Sequence, residues 1–185
     1  MKSASKKTVF LSGFIVLSVI MMVGLVRSVI PEFPEHSFSM IVGVLAYLSM
    51  VFIVLTSEWQ HSLFSAGAAF SGIVLIGLHL LAEMSIIAAI RFPALTNPFG
   101  YAALAAFLIA LIMKGLSYID QWQKIRQYIH GVLTIGIGFI YWHVASIGII
   151  ATSWMFIVPF TLFLIWTLFH FTTVIVLEKK KTALF

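Results

Sequence analysis

The chain has 185 residues, 62% of them hydrophobic and 9% charged, with a formal net charge of +5 and a mean hydropathy of +1.11. A soluble domain carries about 25% charged residues, so no folded soluble core hides this much apolar surface and the implied solvent is lipid. Cysteine is absent, which excludes disulfides, thiolate metal sites, iron–sulfur clusters and covalent c-type haem.

A membrane span needs about 20 apolar residues. Runs of that kind fall near residues 8–26, 39–56, 64–90, 99–119, 128–151 and 153–176. They predict an all-α, integral membrane six-helix bundle in which residues 1–185 form a single transmembrane domain. The first run follows Lys2, Lys6 and Lys7, as a signal peptide would. Its apolar core is too long for one and no A-x-A-like site follows, so it reads as a retained span. Pro31, Glu32, Pro34 and Glu35 separate it from the second run. Pro93 and Asn97-Pro98 separate the third from the fourth, and Asp120 to Gln127 is polar. The break at Thr152 and Ser153 is short and predicts a tight hairpin between the last two spans. No convincing internal repeat or low-complexity segment stands out.

Positive charge sets the orientation. With the N-terminus inside, the inner side holds Lys2, Lys6, Lys7, Lys114, Lys124, Arg126 and Lys179 to Lys181, and the outer side only Arg27 and Arg91. Both termini are therefore expected in the cytoplasm, which makes the protein a multi-pass component of the cell membrane. The third and fifth spans then run in the same direction. The net positive charge follows this topology and is no sign of nucleic-acid binding.

Three histidines lie inside spans. His79 is past the midpoint of the third, His143 past the midpoint of the fifth, and His130 near the inner end of the fifth. Ionisable groups in hydrocarbon mark function by default. Because their helices are parallel, His79 and His143 are expected to meet at one depth. Two neutral imidazoles across a gap between helices suit bis-histidine haem ligation, which leaves the iron no open position and favours electron transfer. His130 lies roughly 20 Å from His143 along the axis, far enough for a second haem. Its partner would be His170 on the sixth span or His61 at the inner mouth of the third. An ideal helix turns His130 and His143 more than about 90° apart, so a single stack of haems needs a bulge, for which Gly136-Ile137-Gly138 is the candidate. Gly67, Gly72, Gly77 and Gly131 also flank the histidines. They suit a close porphyrin face or ordinary small-residue helix packing.

The stretch SAGAAFSGIVLIGLHLLAEMS at 65–85 resembles the third span of the ferric reductase-like transmembrane family. LSYIDQWQKIRQYIHGVLTIGIGFIYWHVA at 116–145 resembles its loop and fifth span. The family includes ferric reductases, NADPH oxidases and the haem-binding membrane subunit of the periplasmic methionine-sulfoxide reductase system, to which this chain is closest in type. Its fifth span carries two histidines with twelve residues between them, matching His130 and His143. The outer histidine of its third span matches His79. The inner one would fall near Ser65 or Ala66 and is absent, and the tryptophan usually found before the first fifth-span histidine is displaced to Trp122. The resemblance implies haem b, one group with room for a second, and an oxidoreductase component. Electrons would pass from a cytoplasmic flavoprotein or quinol to an extracytoplasmic acceptor, either ferric iron or a protein. No G-x-G-x-x-G follows a strand, so flavin is expected only through a separate partner.

Other polar residues carry alternatives. Glu83, one turn past His79, is a proton acceptor or the ion-pair partner of Arg91, and Arg91 would alternatively hold a haem propionate. Lys114, Lys124 and Arg126 suit a propionate or a nucleotide phosphate, or serve topology alone. Glu32, Glu35 and His36 suit a hard or borderline cation or simple solvation. Tyr141 and Trp142 read as packing residues. A different class of function, a small non-redox transporter or assembly subunit, would use Glu83 and the histidines as a proton path.

Overall fold

The protein is represented by a computed structural model that describes residues 2–56, 63–90, 98–116, 126–146 and 152–182. Over these residues it is entirely helical. Helix α1 covers Lys2–Gly24 and runs into a π-helical turn at Leu25–Val29. Two 3-10 turns follow, Ile30–Glu32 and Pro34–His36, each with a proline in its opening positions, where the missing N–H costs nothing. Then come α2 (Ser37–Leu55), α3 (Leu63–Ile90), α4 (Pro98–Leu116), α5 (Arg126–Ala145) and α6 (Trp154–Thr182). Pro98 opens α4 for the same reason.

Among the described residues, four segments are long and apolar enough to cross a membrane: Lys7–Glu32, Pro34–Leu55, Tyr128–Ala145 and Trp154–Thr173. In α3 and α4 the apolar stretches found are shorter, Gly67–Ala82 and Pro98–Lys114. Val9, Phe70 and Phe169 are each about 70% exposed, and apolar side chains of this size line the outside of every helix. A monomer in water does not present such a surface.

Helix α5 ends at Ala145, where the Ser146 N–H bonds the Trp142 carbonyl, with His143 in its last turn; residues 147–151 of the expected fifth span lie outside the described residues. One expectation needs correction: α5 is continuous α-helix through Gly136-Ile137-Gly138. No bulge rotates His130 towards the face of His143, and the irregular turn lies in α1 instead.

The helices pair as hairpins, α2 with α3 and α4 with α5, and α2 and α5 join the two hairpins. Helices α1 and α6 pack on each other, and α6 packs against α2 and α5. Tyr47, Phe156, Phe160 and Phe163 are fully buried beside Met21 and Leu25. The Tyr47 hydroxyl donates to the Phe160 carbonyl at 3.1 Å, and the two rings pack at 4.2 Å. Pro159 lies inside α6 without ending it. It has no N–H for the Met155 carbonyl. There α1 comes closest, because Gly24 has no side chain: a Cβ on it would stand 2.5 Å from the Met155 carbonyl carbon.

Candidate functional site

The imidazole of His79, a residue of α3, rests against α2. Its Nδ1 is 3.0 Å from the Ser39 carbonyl oxygen and 2.9 Å from the Ser39 hydroxyl. A carbonyl oxygen can only accept a hydrogen bond. The proton is therefore assigned to Nδ1, and the lone pair belongs to Nε2. Gly43, one turn along α2 from Ser39, makes the contact sterically feasible. A Cβ on Gly43 would stand 3.1 Å from both Nδ1 and Cε1 of His79, so a side chain there would press the ring away from Ser39.

The second hairpin repeats the arrangement. A Cβ on Gly100 of α4 would stand 3.2 Å from Nδ1 and 3.3 Å from Cε1 of His143. The correspondence extends deeper. Six residues along α2 from Gly43, Ser49 meets Gly72, seven residues before His79. Six residues along α4 from Gly100, Ala106 meets Gly136, seven residues before His143. The sequence carries the trace: Gly72-Ile-Val-Leu-Ile-Gly-Leu-His79 and Gly136-Ile-Gly-Phe-Ile-Tyr-Trp-His143 share glycine, both isoleucines and histidine. The two hairpins therefore repeat one pattern of contacts, which the unaided sequence did not show. It is hard to see because the spacing is uneven. His143 follows His79 by 64 positions, whereas Gly100 follows Gly43 by 57. The position equivalent to Ser39 is Thr96, outside the described residues.

The two copies also cross over. Met50 of α2 reaches Gly136 of α5, and its equivalent Phe107 of α4 reaches Gly72 of α3. Both side chains are buried. They set a common level in the two hairpins, and His79 and His143 each stand seven residues, about 10 Å, beyond it. Helices α3 and α5 do not pack extensively together.

His130 lies at the opposite end of α5. Its Nδ1 is buried and has no hydrogen-bond partner among the described residues. His170 of α6 and Lys114 of α4 are near it, and Gly131 beside it receives the Phe171 ring. His170 is thus near His130, as one of the two partner alternatives requires. The repeat places Ala66 at the position equivalent to His130.

His61, Trp122, Lys124 and Arg91 lie outside the described residues, as do the side chains of Ser65, Ala66, Glu83 and Arg126, so the Glu83–Arg91 alternatives fall there too. In the first turn region, His36 Nε2 is 4.0 Å from Glu35 Oε1 and Glu32 is exposed. No group of three side chains suited to a bare metal ion occurs among the described residues, and Glu32, Glu35 and His36 do not form one. Tyr141 stacks on Phe160 at 5.8 Å, whereas Trp142 is 60% exposed and rests against Phe99.

The flanking glycines divide. Gly72, Gly131 and Gly136 seat neighbouring side chains, while Gly67, Gly77 and Gly138 meet nothing within 4 Å. The glycines that touch histidines, Gly43 and Gly100, lie on other helices, and only the repeat would have pointed to them. Compared with family models, curated proteins and solved structures, the chain finds no match.

Proposed function

We propose that this is a haem b electron-transfer protein of the cell membrane, similar to the ferric reductase-like family, with six spans and both termini cytoplasmic. The observation that carries this reading is the equivalence of His79 and His143 in two crossed hairpins at one level. Such a pair suits a flat metal macrocycle, which brings four nitrogens of its own and asks the protein for two. Bound haem b would supply one-electron transfer between ferric and ferrous iron with both axial positions filled.

The chain's own residues have distinct tasks in this reading. His79 and His143 would hold the haem through their imidazoles. Gly43 and Gly100 let each imidazole seat against a helix backbone. Met50 and Phe107, both buried, would shield the inner side of the site from water. Arg91 is assigned a propionate. His130, with His170 close by, is where a second haem would be held. Electrons would enter from a cytoplasmic flavoprotein or from quinol and leave to ferric iron or an extracytoplasmic protein.

The test is a reduced-minus-oxidised spectrum of the purified chain expressed with ample haem. The expected result is b-type α and Soret bands. A colourless protein would refute the reading.

A further inference from the structure

Ser39 is buried, 1% exposed, on α2, and both of its oxygens lie within hydrogen-bond range of one nitrogen, His79 Nδ1. The carbonyl is the informative partner. In helical geometry its first lone pair faces the N–H four residues on, that of Gly43. Its second lone pair is normally covered by neighbouring side chains. Here the residue one turn along is a glycine, and the ring of His79 fills the space that a Cβ would take. Serine and glycine four apart on one face therefore form a clip that grips one edge of an imidazole.

The clip has a chemical consequence. Neutral imidazole has two tautomers, and only the form protonated at Nδ1 offers a lone pair at Nε2. A metal-binding histidine commonly donates its other N–H to a carbonyl or similar acceptor, which fixes the ring and raises the basicity of the ligating nitrogen. We propose that Ser39 is a positioning residue that holds His79 by Nδ1 and thereby presents Nε2 to iron. This rests on the haem reading above and adds to it a determinant of haem affinity and potential. Ser39 touches no iron and acts only through His79. The hydroxyl is the part that mutation can remove, since the carbonyl belongs to the backbone.

The experiment compares full-length wild type with Ser39→Ala and Ser49→Ala in detergent. Ser49 is a second serine of α2 at the α3 interface, its hydroxyl bonded to the Leu45 carbonyl, and it reports what loosening that interface does. Haem affinity, midpoint potential and the low-spin electron paramagnetic resonance signal are measured on each. Ser39→Ala should weaken haem binding about tenfold or more and shift the signal, while Ser49→Ala matches wild type. If Ser39→Ala keeps wild-type affinity and signal, or Ser49→Ala loses as much, the assignment of Ser39 is wrong although the haem reading stands. If wild type takes up no haem, the haem reading itself fails and this role with it. Nitrogen NMR of histidine-labelled, haem-free wild type gives an independent reading that needs no variant. The His79 proton should reside on Nδ1, and a proton on Nε2 would overturn the proposal.

Discussion

Met50 and Phe107 occupy equivalent positions in two helical hairpins, and each crosses to the other hairpin's glycine, Met50 to Gly136 and Phe107 to Gly72. The exchange ties α2, α3, α4 and α5 together. A histidine stands above each crossing point.

In the proposed haem reading the two histidines are interdependent. His79→Ala and His143→Ala should each abolish the same haem rather than half of it, because iron held by one imidazole loses both low-spin character and affinity. His130→Ala should leave that haem in place, since His130 lies at the far end of α5 beside His170 and Lys114. Haem per chain, measured as the pyridine adduct, checks this. Full haem content in both His79→Ala and His143→Ala would show that the ligands are elsewhere.

The glycines under the two rings should be intolerant of even one carbon. A Cβ at Gly43 or Gly100 arrives 3.1–3.2 Å from an imidazole atom, and overpacking of this kind costs about 1–3 kcal/mol. The ring can yield only by leaving its seat. Gly43→Ala and Gly100→Ala should therefore weaken haem binding measurably in titrations. Gly77→Ala is the contrast. It sits on α3 two residues before His79 but meets nothing within 4 Å, and helix propensity favours alanine there by about 1 kcal/mol. It should bind haem as wild type does.

The architecture was legible in the sequence to the extent that composition and length dictate it. Runs of apolar residues bounded by Pro31, Pro34 and Pro98 gave helices close to their observed limits. What failed was local. Gly136 and Gly138 suggested a bulge, yet Gly136 is needed flat against Ala106 and Met50, and a regular helix achieves that best. Of the residues around His79 and His143, the sequence marked only the histidines. Histidines in apolar runs announce themselves, but Gly43, Gly100 and Ser39 matter through partners on other helices. One-dimensional spacing does not encode such contacts, and the two halves of the repeat are offset unequally.

The contact between α1 and α6 should be the least forgiving in the fold. At Gly24 a Cβ would meet backbone, 2.5 Å from the Met155 carbonyl carbon and 2.7 Å from the Phe156 nitrogen, and backbone cannot swing aside as a side chain does. Gly24→Ala must part the two helices and open the Phe156–Phe160 layer. A loss at or above the upper end of about 1–3 kcal/mol is expected, seen as a lower thermal midpoint in detergent. At low temperature the haem spectrum should persist, because Gly24 lies outside the two crossed hairpins.

Orientation can be tested cleanly because the chain has no cysteine, so any one introduced is unique. The positive-inside bias places residues near both ends in the cytoplasm and Arg27 outside. Arg27 and Ser28 are exposed, in the π-helical turn that closes the first span. Ser28→Cys should therefore react with a membrane-impermeant maleimide in intact cells. Ser3→Cys and Leu184→Cys should react only after the cells are opened. The reverse pattern would turn the bundle over. The His79–His143 pair would then stand near the cytoplasmic face and the His130 end would face outward, so any electrons would travel inward. Labelling of Ser3→Cys and Leu184→Cys on opposite sides would mean an odd number of crossings and would exclude six spans.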